Sequence, residues 1–365
     1  MRIGLVIYGR LDTLTGGYLY DRFLAEALRR RGHAVEVISL EEKSYALGLL
    51  DNLSPRLEAR LTDQPYDLLL QDELCHPSLF GLNRHIRVRR RTAIVGIVHQ
   101  VLCRQPRRRL LNLACGWAER NYLQATDGLL FASRFNRDMA RQLIRRDGPM
   151  QVAHPGGDRL GRIPSGQLIV ERSHTAGPLE LVFVGNLSPV KGLHRLLESV
   201  SRLPPHTWRL TVAGSLSADH QHARRILGEV ARRGLASQVR FLGVVDGEDL
   251  RRVYTAGQVF VMPFAHEGFG IAALEAMAFG LPVIGSSSGG VCEFVRHGEN
   301  GFLVTAGDHP AVRRHLELLY QDRNRLAAMG QAAWQTFSAH PTWAESMVRA
   351  CEFLEKLVTG QSRHL

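Results

Sequence analysis

The stretch from Val259 to Val304 constrains the fold more than any other part of this sequence. The run Val259-Phe260-Val261-Met262 ends at Pro263 and reads as a buried strand. Glu267-Gly268-Phe269-Gly270 comes next, and Ile271 to Phe279 has the composition of a helix. A second unit starts at once: Pro282 to Gly285 is strand-like, and Ser286-Ser287-Ser288-Gly289-Gly290 opens another short helix. Strand and helix alternating with so little between them fit a parallel sheet with helices on its faces. The glycines let backbone approach a ligand closely, and free N–H groups at a helix start, with the dipole behind them, form an anion site. Two helix N-termini therefore converge on one place. Glu267 stands just before the first helix, and Glu275 lies within it, eight residues on and roughly a turn deeper.

The same alternation runs through the rest of the chain. In the first half, Ile3 to Tyr8, Val35 to Leu40, Leu68 to Gln71, Ala93 to Val98 and Gly128 to Ala132 are strand candidates. Tyr18 to Arg31 reads as a helix with Leu19, Phe23, Leu24, Ala27 and Leu28 on one face, stopped by Gly32; Asn112 to Leu123 and Arg134 to Arg145 read as two more. A second series has strands at Leu181 to Gly185, Trp208 to Gly214 and Val239 to Gly243. Helices follow at Pro310 to Tyr320, Asn324 to Phe337 and Thr342 to Val358. Between the two series, 161–178 lacks sustained periodicity and reads as a linker and hinge. At 365 residues the chain exceeds the usual limit of one core. The expected division is 1–160, the linker 161–178, 179–340, and a terminal helix over 341–365.

Five scattered cysteines without short paired spacings argue against a metal site or a disulfide framework and suit a reducing cytoplasm. No segment approaches the length of uninterrupted apolar residues that crosses a membrane, so the chain is expected to be cytoplasmic and at most peripheral. Residues 1–178 hold 27 Lys and Arg against 18 Asp and Glu, whereas 179–365 hold 19 against 17. The excess gathers at Arg29 to Arg31, Arg84 to Arg91, Arg104 to Arg109 and Arg141 to Arg146. No nucleic-acid motif accompanies it, so an anionic membrane surface or an anionic acceptor is the expected partner. Only three of the 46 basic residues are lysines: Lys43, Lys191 and Lys356. Lys191, kept in a glycine-flanked loop after a strand, suggests a demand for a compact ammonium at a phosphate.

Ligands of doubly wound sheets sit beyond the carboxyl ends of the strands. That directs attention to Gly16-Gly17, Asp72-Glu73, His99 and Lys191. No Gly-x-Gly-x-x-Gly follows the first strand, which disfavours a dinucleotide-dependent oxidoreductase.

The pattern from Glu267 through Glu275 to Gly290, with Gly16-Gly17, His99 and Lys191, resembles the retaining glycosyltransferases of family 4, the glycosyl transferases group 1. His154-Pro155-Gly156-Gly157-Asp158 is similar to that family's signature at the end of the first domain. The resemblance implies an α/β protein of GT-B fold: two facing doubly wound Rossmann-like domains with a C-terminal crossover helix. The first domain would be the acceptor side and the second would bind the nucleotide-sugar. It implies that Glu267 and His99 are the catalytic candidates, contacting the transferred sugar from opposite walls. Glu275 would hold the ribose and Lys191 the diphosphate, with Gly16 and Gly17 facing it. Gly214 and Val244 would line the base and ribose, and Gly268, Phe269, Gly270 and Ile271 would complete the donor site. Asn186 stands where the family commonly has an arginine, which removes one phosphate charge; Arg195 or an arginine of the first domain is the substitute to look for. Tyr18, Asp72, Glu73, His76 and Arg104 are the acceptor candidates. No carboxylate-x-carboxylate motif is well placed, so neither metal nor cofactor is expected, the nucleotide-sugar being a substrate. Two alternatives stay open: a sugar-nucleotide epimerase of the same fold, and a non-catalytic nucleotide-sugar-binding protein, toward which Asn186 leans. Sugar, base and acceptor are not legible.

Overall fold

The computed structural model describes residues 1–89, 92–104, 109–144, 148–163, 165–263 and 267–361. The chain divides into two compact units, Met1–Pro155 with Trp343–Leu365, and Gly156–Thr342.

The first unit is built on a parallel sheet of six strands: β1 (Arg2–Tyr8), β2 (Ala34–Leu40), β3 (Leu68–Asp72), β4 (Ala93–Val98), β5 (Gly128–Phe131) and β6 (Met150–Val152). Their order is β2-β1-β3-β4-β5-β6, with Ile3 opposite both Val35 and Leu68. Every residue of β3, β4 and β5 is buried, which explains their unbroken apolar runs. Strand order reverses between β1 and β3, so the crevice of this sheet opens beyond Tyr8 and Asp72.

The helix Gly16–Arg30 starts on Thr15, whose Oγ1 accepts from the Tyr18 N–H at 3.4 Å. It buries Tyr18, Tyr20, Asp21, Leu24, Ala25 and Leu28, a face rotated from the expected one because Phe23 turns instead toward the terminal helix. That helix, Trp343–Gln361, belongs to the first unit. Trp343 stacks on Phe23 with ring centroids 4.2 Å apart, and Glu355 accepts from Arg31 Nε at 2.8 Å and lies 2.9 Å from His33 Nε2. Leu357 fills the space over β5, where a Cβ on Gly128 would come within 2.4 Å of its Cδ1.

The second unit repeats the plan with β7 (Leu179–Val184), β8 (Trp208–Ala213), β9 (Val239–Gly243), β10 (Val259–Met262), β11 (Val283–Ser286) and β12 (Gly301–Val304). Their order is β12-β11-β10-β7-β8-β9, all parallel, reversing between β7 and β10. Trp208, Phe183, Phe260 and Tyr254 are fully buried at its centre.

The stretch expected to be a linker is part of this unit. It holds the helix Gly166–Ser173, too short to show a period, whose Ile169 is 0% exposed and wedged where Gly280 and Gly330 leave room for it. The division falls earlier, at Pro155 and Gly156. Among the described residues no helix is long and apolar enough to cross a membrane.

Candidate functional site

In the second unit the reversal point is flanked by the loops after β7 and β10, and these bring Lys191 and Glu267 together. Lys191 Nζ lies 2.5 Å from Glu267 Oε2, with side chains 30% and 18% exposed. Lys191 closes a single 3-10 turn, Pro189–Lys191, and Gly192 behind it has φ 77°, which turns the chain into the helix Leu193–Val200.

Glycine is required around this pair by backbone packing. A Cβ on Gly214 would lie 2.0 Å from the Gly185 carbonyl oxygen, so the loops after β7 and β8 touch main chain to main chain. A Cβ on Gly290 would lie 2.4 Å from the Gly268 oxygen and 2.6 Å from Phe269 Cα. The Gly290 N–H donates to the Glu267 carbonyl at 3.1 Å. The second helix expected here is therefore only a 3-10 turn, Gly290–Glu293, pressed against the Glu267 loop with its leading N–H already used. One helix N-terminus remains, that of Ile271–Ala278, entered through Gly270 at φ 101° with no side-chain cap. The two converging N-termini read from the sequence are thus one.

Other donor candidates divide between surface and core. Val244 is 57% exposed on the loop after β9. Phe269 is 4% exposed, its ring 5.3 Å from that of Phe294, so only its backbone faces the loop. Ile271 is half-buried at the helix start. Asn186 has a structural duty: its Oδ1 accepts from the Ser215 N–H at 3.0 Å, fastening the loop after β7 to the loop after β8. Arg195 is half-buried, with Nη1 buried and unbonded. His266, which opens the motif, lies outside the described residues.

Glu275 is 2% exposed and already paired. Arg159 Nε donates to its Oε1 at 2.5 Å and Nη2 to Oε2 at 3.4 Å, while the Tyr254 hydroxyl lies 3.3 Å from Oε2. Arg159 Nη1 also reaches Asp246, at the start of the helix Gly247–Ala256. Burial pushes Glu275 above the usual carboxylate range, and the Arg159 guanidinium offsets part of that. Burial works against the charge on Arg159, but Glu275 and Asp246 together raise it. Sequence reading missed Arg159, although it directly follows the His154–Asp158 signature.

In the first unit the informative residues gather beyond β3 and β4. His99 Nε2 lies 3.0 Å from Oδ1 of Asp21, a residue of the helix Gly16–Arg30 that sequence reading did not single out. Asp72, at the end of β3, completes a trio whose donor atoms all lie within 4.8 Å of one another and could hold a metal ion. Gly17 lets the ring in, since a Cβ there would sit 3.1 Å from His99 Cδ2. Tyr20 packs edge-on at 5.3 Å, and Asn136 Nδ2 donates to the His99 carbonyl at 2.7 Å. Burial opposes charge on His99, yet Asp21 and Asp72 raise it overall. Burial and the neighbouring Asp21 push Asp72 up to about 7.

Of the acceptor candidates, Arg104 is exposed, Gly16 beside them is exposed, and the rest turn inward. Tyr18 is 8% exposed and donates to the Tyr8 carbonyl at 2.6 Å. Glu73 and His76 are 0% exposed, 3.1 Å apart, because the chain after β3 coils into a 3-10 turn and the short helix His76–Leu79 that pack them inside. His76 Nε2 meets the Tyr45 hydroxyl at 2.9 Å, and Glu73, His76 and Glu119 form a second trio able to hold a metal ion. Glu119 itself accepts from the Leu102 and Cys103 N–H groups at 2.6 and 2.9 Å. Glu73 and His76 therefore face the core and not solvent.

The arginine clusters are partly consumed by the fold. Arg31 holds Glu355, Arg84 donates to Asn121, and Arg87 pairs with Asp127 at 2.9 Å. Arg90, Arg91, Arg107, Arg108, Arg145 and Arg146 lie outside the described residues.

Residues 169–336 match the model of the family described as glycosyl transferases group 1. A D-inositol 3-phosphate glycosyltransferase of Corynebacterium urealyticum is 32% identical over 57% of this chain and 51% of its own. An uncharacterized glycosyltransferase of Methanocaldococcus jannaschii is 39% identical over 34% of this chain and 31% of its own. The chain thus spans about half or less of the curated relatives it matches. Among solved structures, sucrose-phosphate synthase from Thermosynechococcus elongatus superposes with a TM-score of 0.82 at 20% identity, over 98% of this chain and 99% of that one. Anabaena HepE in complex with UDP and glucose gives 0.76 at 21% identity, over 97% and 99%. These likenesses identify the fold as GT-B.

Proposed function

From a second unit that carries the glycosyl transferases group 1 sequence, we propose that this chain is a retaining glycosyltransferase of family 4, moving a sugar from a nucleotide-sugar to an acceptor. The observation that carries the reading is the Lys191–Glu267 pair at the reversal point of the second sheet. In this pair the ammonium and the carboxylate neutralise each other. A diphosphate arriving at the N-terminus of the helix Ile271–Ala278 competes for that ammonium and frees Glu267 to orient the sugar. When the bond between the anomeric carbon and the diphosphate oxygen breaks, the electron pair leaves with the phosphate. Lys191 and the helix N-terminus then stabilise the growing charge. Glu275 is the proposed ribose contact and His99 the proposed sugar contact. These groups supply the charge that a divalent ion provides elsewhere, so turnover is expected to survive chelation; complete loss with EDTA, restored by metal, would defeat this part.

HepE, in complex with UDP and glucose, makes uridine diphosphate sugars the first donors to try, and the inositol-phosphate relatives put phosphorylated polyols among the first acceptors. The basic excess of the first 178 residues is the reason to include anionic lipid vesicles. A cytoplasmic setting follows from the same reading.

Thermal-shift screening against nucleoside diphosphates, followed by NMR of the product's anomeric configuration, tests the proposal. A melting temperature unmoved by every nucleotide, or an inverted product, would overturn it. Asn186 favours a second reading, a nucleotide-sugar sensor without turnover, because one phosphate cation is missing. Donor hydrolysis separates the two.

A further inference from the structure

The carboxylate expected to meet the ribose is gripped by an arginine, and the grip is uneven. Arg159, Asp246, Tyr254 and Glu275 all belong to the unit Gly156–Thr342. The guanidinium is held at three points: Nε donates to Glu275 Oε1 at 2.5 Å, Nη2 to Oε2 at 3.4 Å, and Nη1 to Asp246. A planar fork fixed in this way fixes the carboxylate with it. Oε1 carries the short bond, whereas Oε2 has Nη2 at 3.4 Å and the Tyr254 hydroxyl at 3.3 Å. That hydroxyl has a single proton, and the Ala272 carbonyl at 3.1 Å lies nearer to it. Oε2 is therefore the oxygen with acceptor capacity to spare. One guanidinium between two carboxylates also leaves negative charge in excess, which suits a neutral group that donates and repels a phosphate. The Lys191–Glu267 pair stands before the helix Ile271–Ala278 and Glu275 lies within it, so ammonium and excess acid are set apart along one element.

We propose that Arg159 is a positioning residue for the donor's ribose: it holds Glu275 with Oε2 left to accept from the 2′- and 3′-hydroxyls, and so makes the site selective for ribonucleotides. This rests on reading Glu275 as the ribose contact of a glycosyltransferase. The excess negative charge draws the hydroxyl-bearing part of the nucleotide toward Glu275 and leaves the diphosphate to Lys191, which sets the direction in which the donor lies. Arg159 is then not the cation that Asn186 leaves missing, because two carboxylates already neutralise it. Without the guanidinium the carboxyl of Glu275 is free to turn, and its hydrogen bonds to the ribose weaken while the diphosphate end stays as it was. A site built to bond a hydroxyl rejects an analogue that lacks it, because its own polar groups are left unpaired.

Calorimetry on the full chain tests this with UDP, GDP, ADP and CDP, each beside its 2′,3′-dideoxy analogue. The wild type should bind one of these nucleotides about tenfold or more tightly than the analogue of the same base. Arg159→Met should bring the ribonucleotide down to the affinity of the analogue and leave the analogue where it was, and Arg159→Lys should recover part of the difference. An arginine that only supports the fold would weaken nucleotide and analogue together. Equal losses for both ligands in R159M, or a ratio that R159M leaves in place, overturns the proposal. Should R159M not fold, Asp246→Asn, which loosens the guanidinium from its other side, takes its place and should lower the same ratio; a ratio unmoved by D246N overturns the proposal in its turn. A wild type that binds a nucleotide as well without its ribose hydroxyls defeats this inference alone. One that binds none of the four defeats the glycosyltransferase reading and this inference with it.

Discussion

Arg159 and Glu275 are 116 positions apart in sequence, yet Nε of one lies 2.5 Å from Oε1 of the other. Breaking such a pair leaves a buried charge without its partner, which costs about 3–5 kcal/mol when both groups are deep. Arg159 keeps 19% of its side chain exposed, so Arg159→Met should cost about 2–3 kcal/mol in urea unfolding. Glu275 already binds its proton more tightly than a free carboxylate, and losing the guanidinium tightens it further. The deficit should therefore be greatest at alkaline pH and shrink as pH falls and Glu275 takes up a proton. Arg159→Met with Glu275→Gln should recover part of the loss. A deficit that does not vary with pH would contradict the pairing.

Lys191 and Glu267 should separate binding from turnover. Lys191→Ala is expected to weaken nucleoside diphosphate binding at least tenfold, about 1.4 kcal/mol or more, by calorimetry. Glu267→Gln releases the ammonium, so the same nucleotide should bind as well or better while donor turnover falls by about 100-fold or more. Equal losses of affinity in both variants would show that the pair does not divide labour in this way.

Asp72 sets a pH dependence of stability. Burial and the neighbouring Asp21 raise its carboxyl from the ordinary aspartate range near 3.8 to about 7 on folding, so between those values the native state binds the extra proton and stability declines as pH rises. Asp72→Asn keeps the Oδ1 acceptor for the Leu74 N–H and removes that decline. The variant should melt close to wild type near pH 4 and be more stable by a few kcal/mol above pH 7. Parallel melting curves across this window would refute the assignment.

Two glycines separate steric from conformational demands. At Gly290 a Cβ meets main-chain atoms at 2.4 and 2.6 Å, so Gly290→Ala must push the Glu267 loop and should abolish donor turnover, with about 2 kcal/mol or more lost in stability. At Gly298 the demand is conformational, a φ of 85°, and nothing lies within 4 Å of the added atom. Gly298→Ala should cost about 1 kcal/mol and leave turnover intact.

The sheets were legible because buried parallel strands write themselves as apolar runs: Val259 to Met262 is a strand at those limits, and Ala93 to Val98 is another. Lys191 stood out because arginine is the default basic residue here, and the fold does bring it to Glu267. Asp21 was hidden in plain view. It is buried together with Leu24, Ala25 and Leu28, at the three-, four- and seven-residue spacing of a core stripe, so a charge at that spacing was the clue. Reading the helix by its apolar members alone concealed it. Arg159 could not be foreseen, since its partners lie on two later helices and no local pattern encodes them. Glu73 and His76 follow a strand, which marks them as acceptor candidates, but the turn there coils inward rather than out to solvent. The helix Gly166–Ser173 was lost to brevity: two turns cannot display a period, and one buried isoleucine secures it.

The helix Trp343–Gln361 is packed with the unit Met1–Pro155. The middle of the chain is contiguous, so during synthesis it can close as soon as Thr342 has emerged from the ribosome. The beginning must wait for Trp343 to cover Phe23 and for Leu357 to reach Gly128. The half that is translated first is the half completed last, and any message truncated short of that final helix leaves its apolar flank bare.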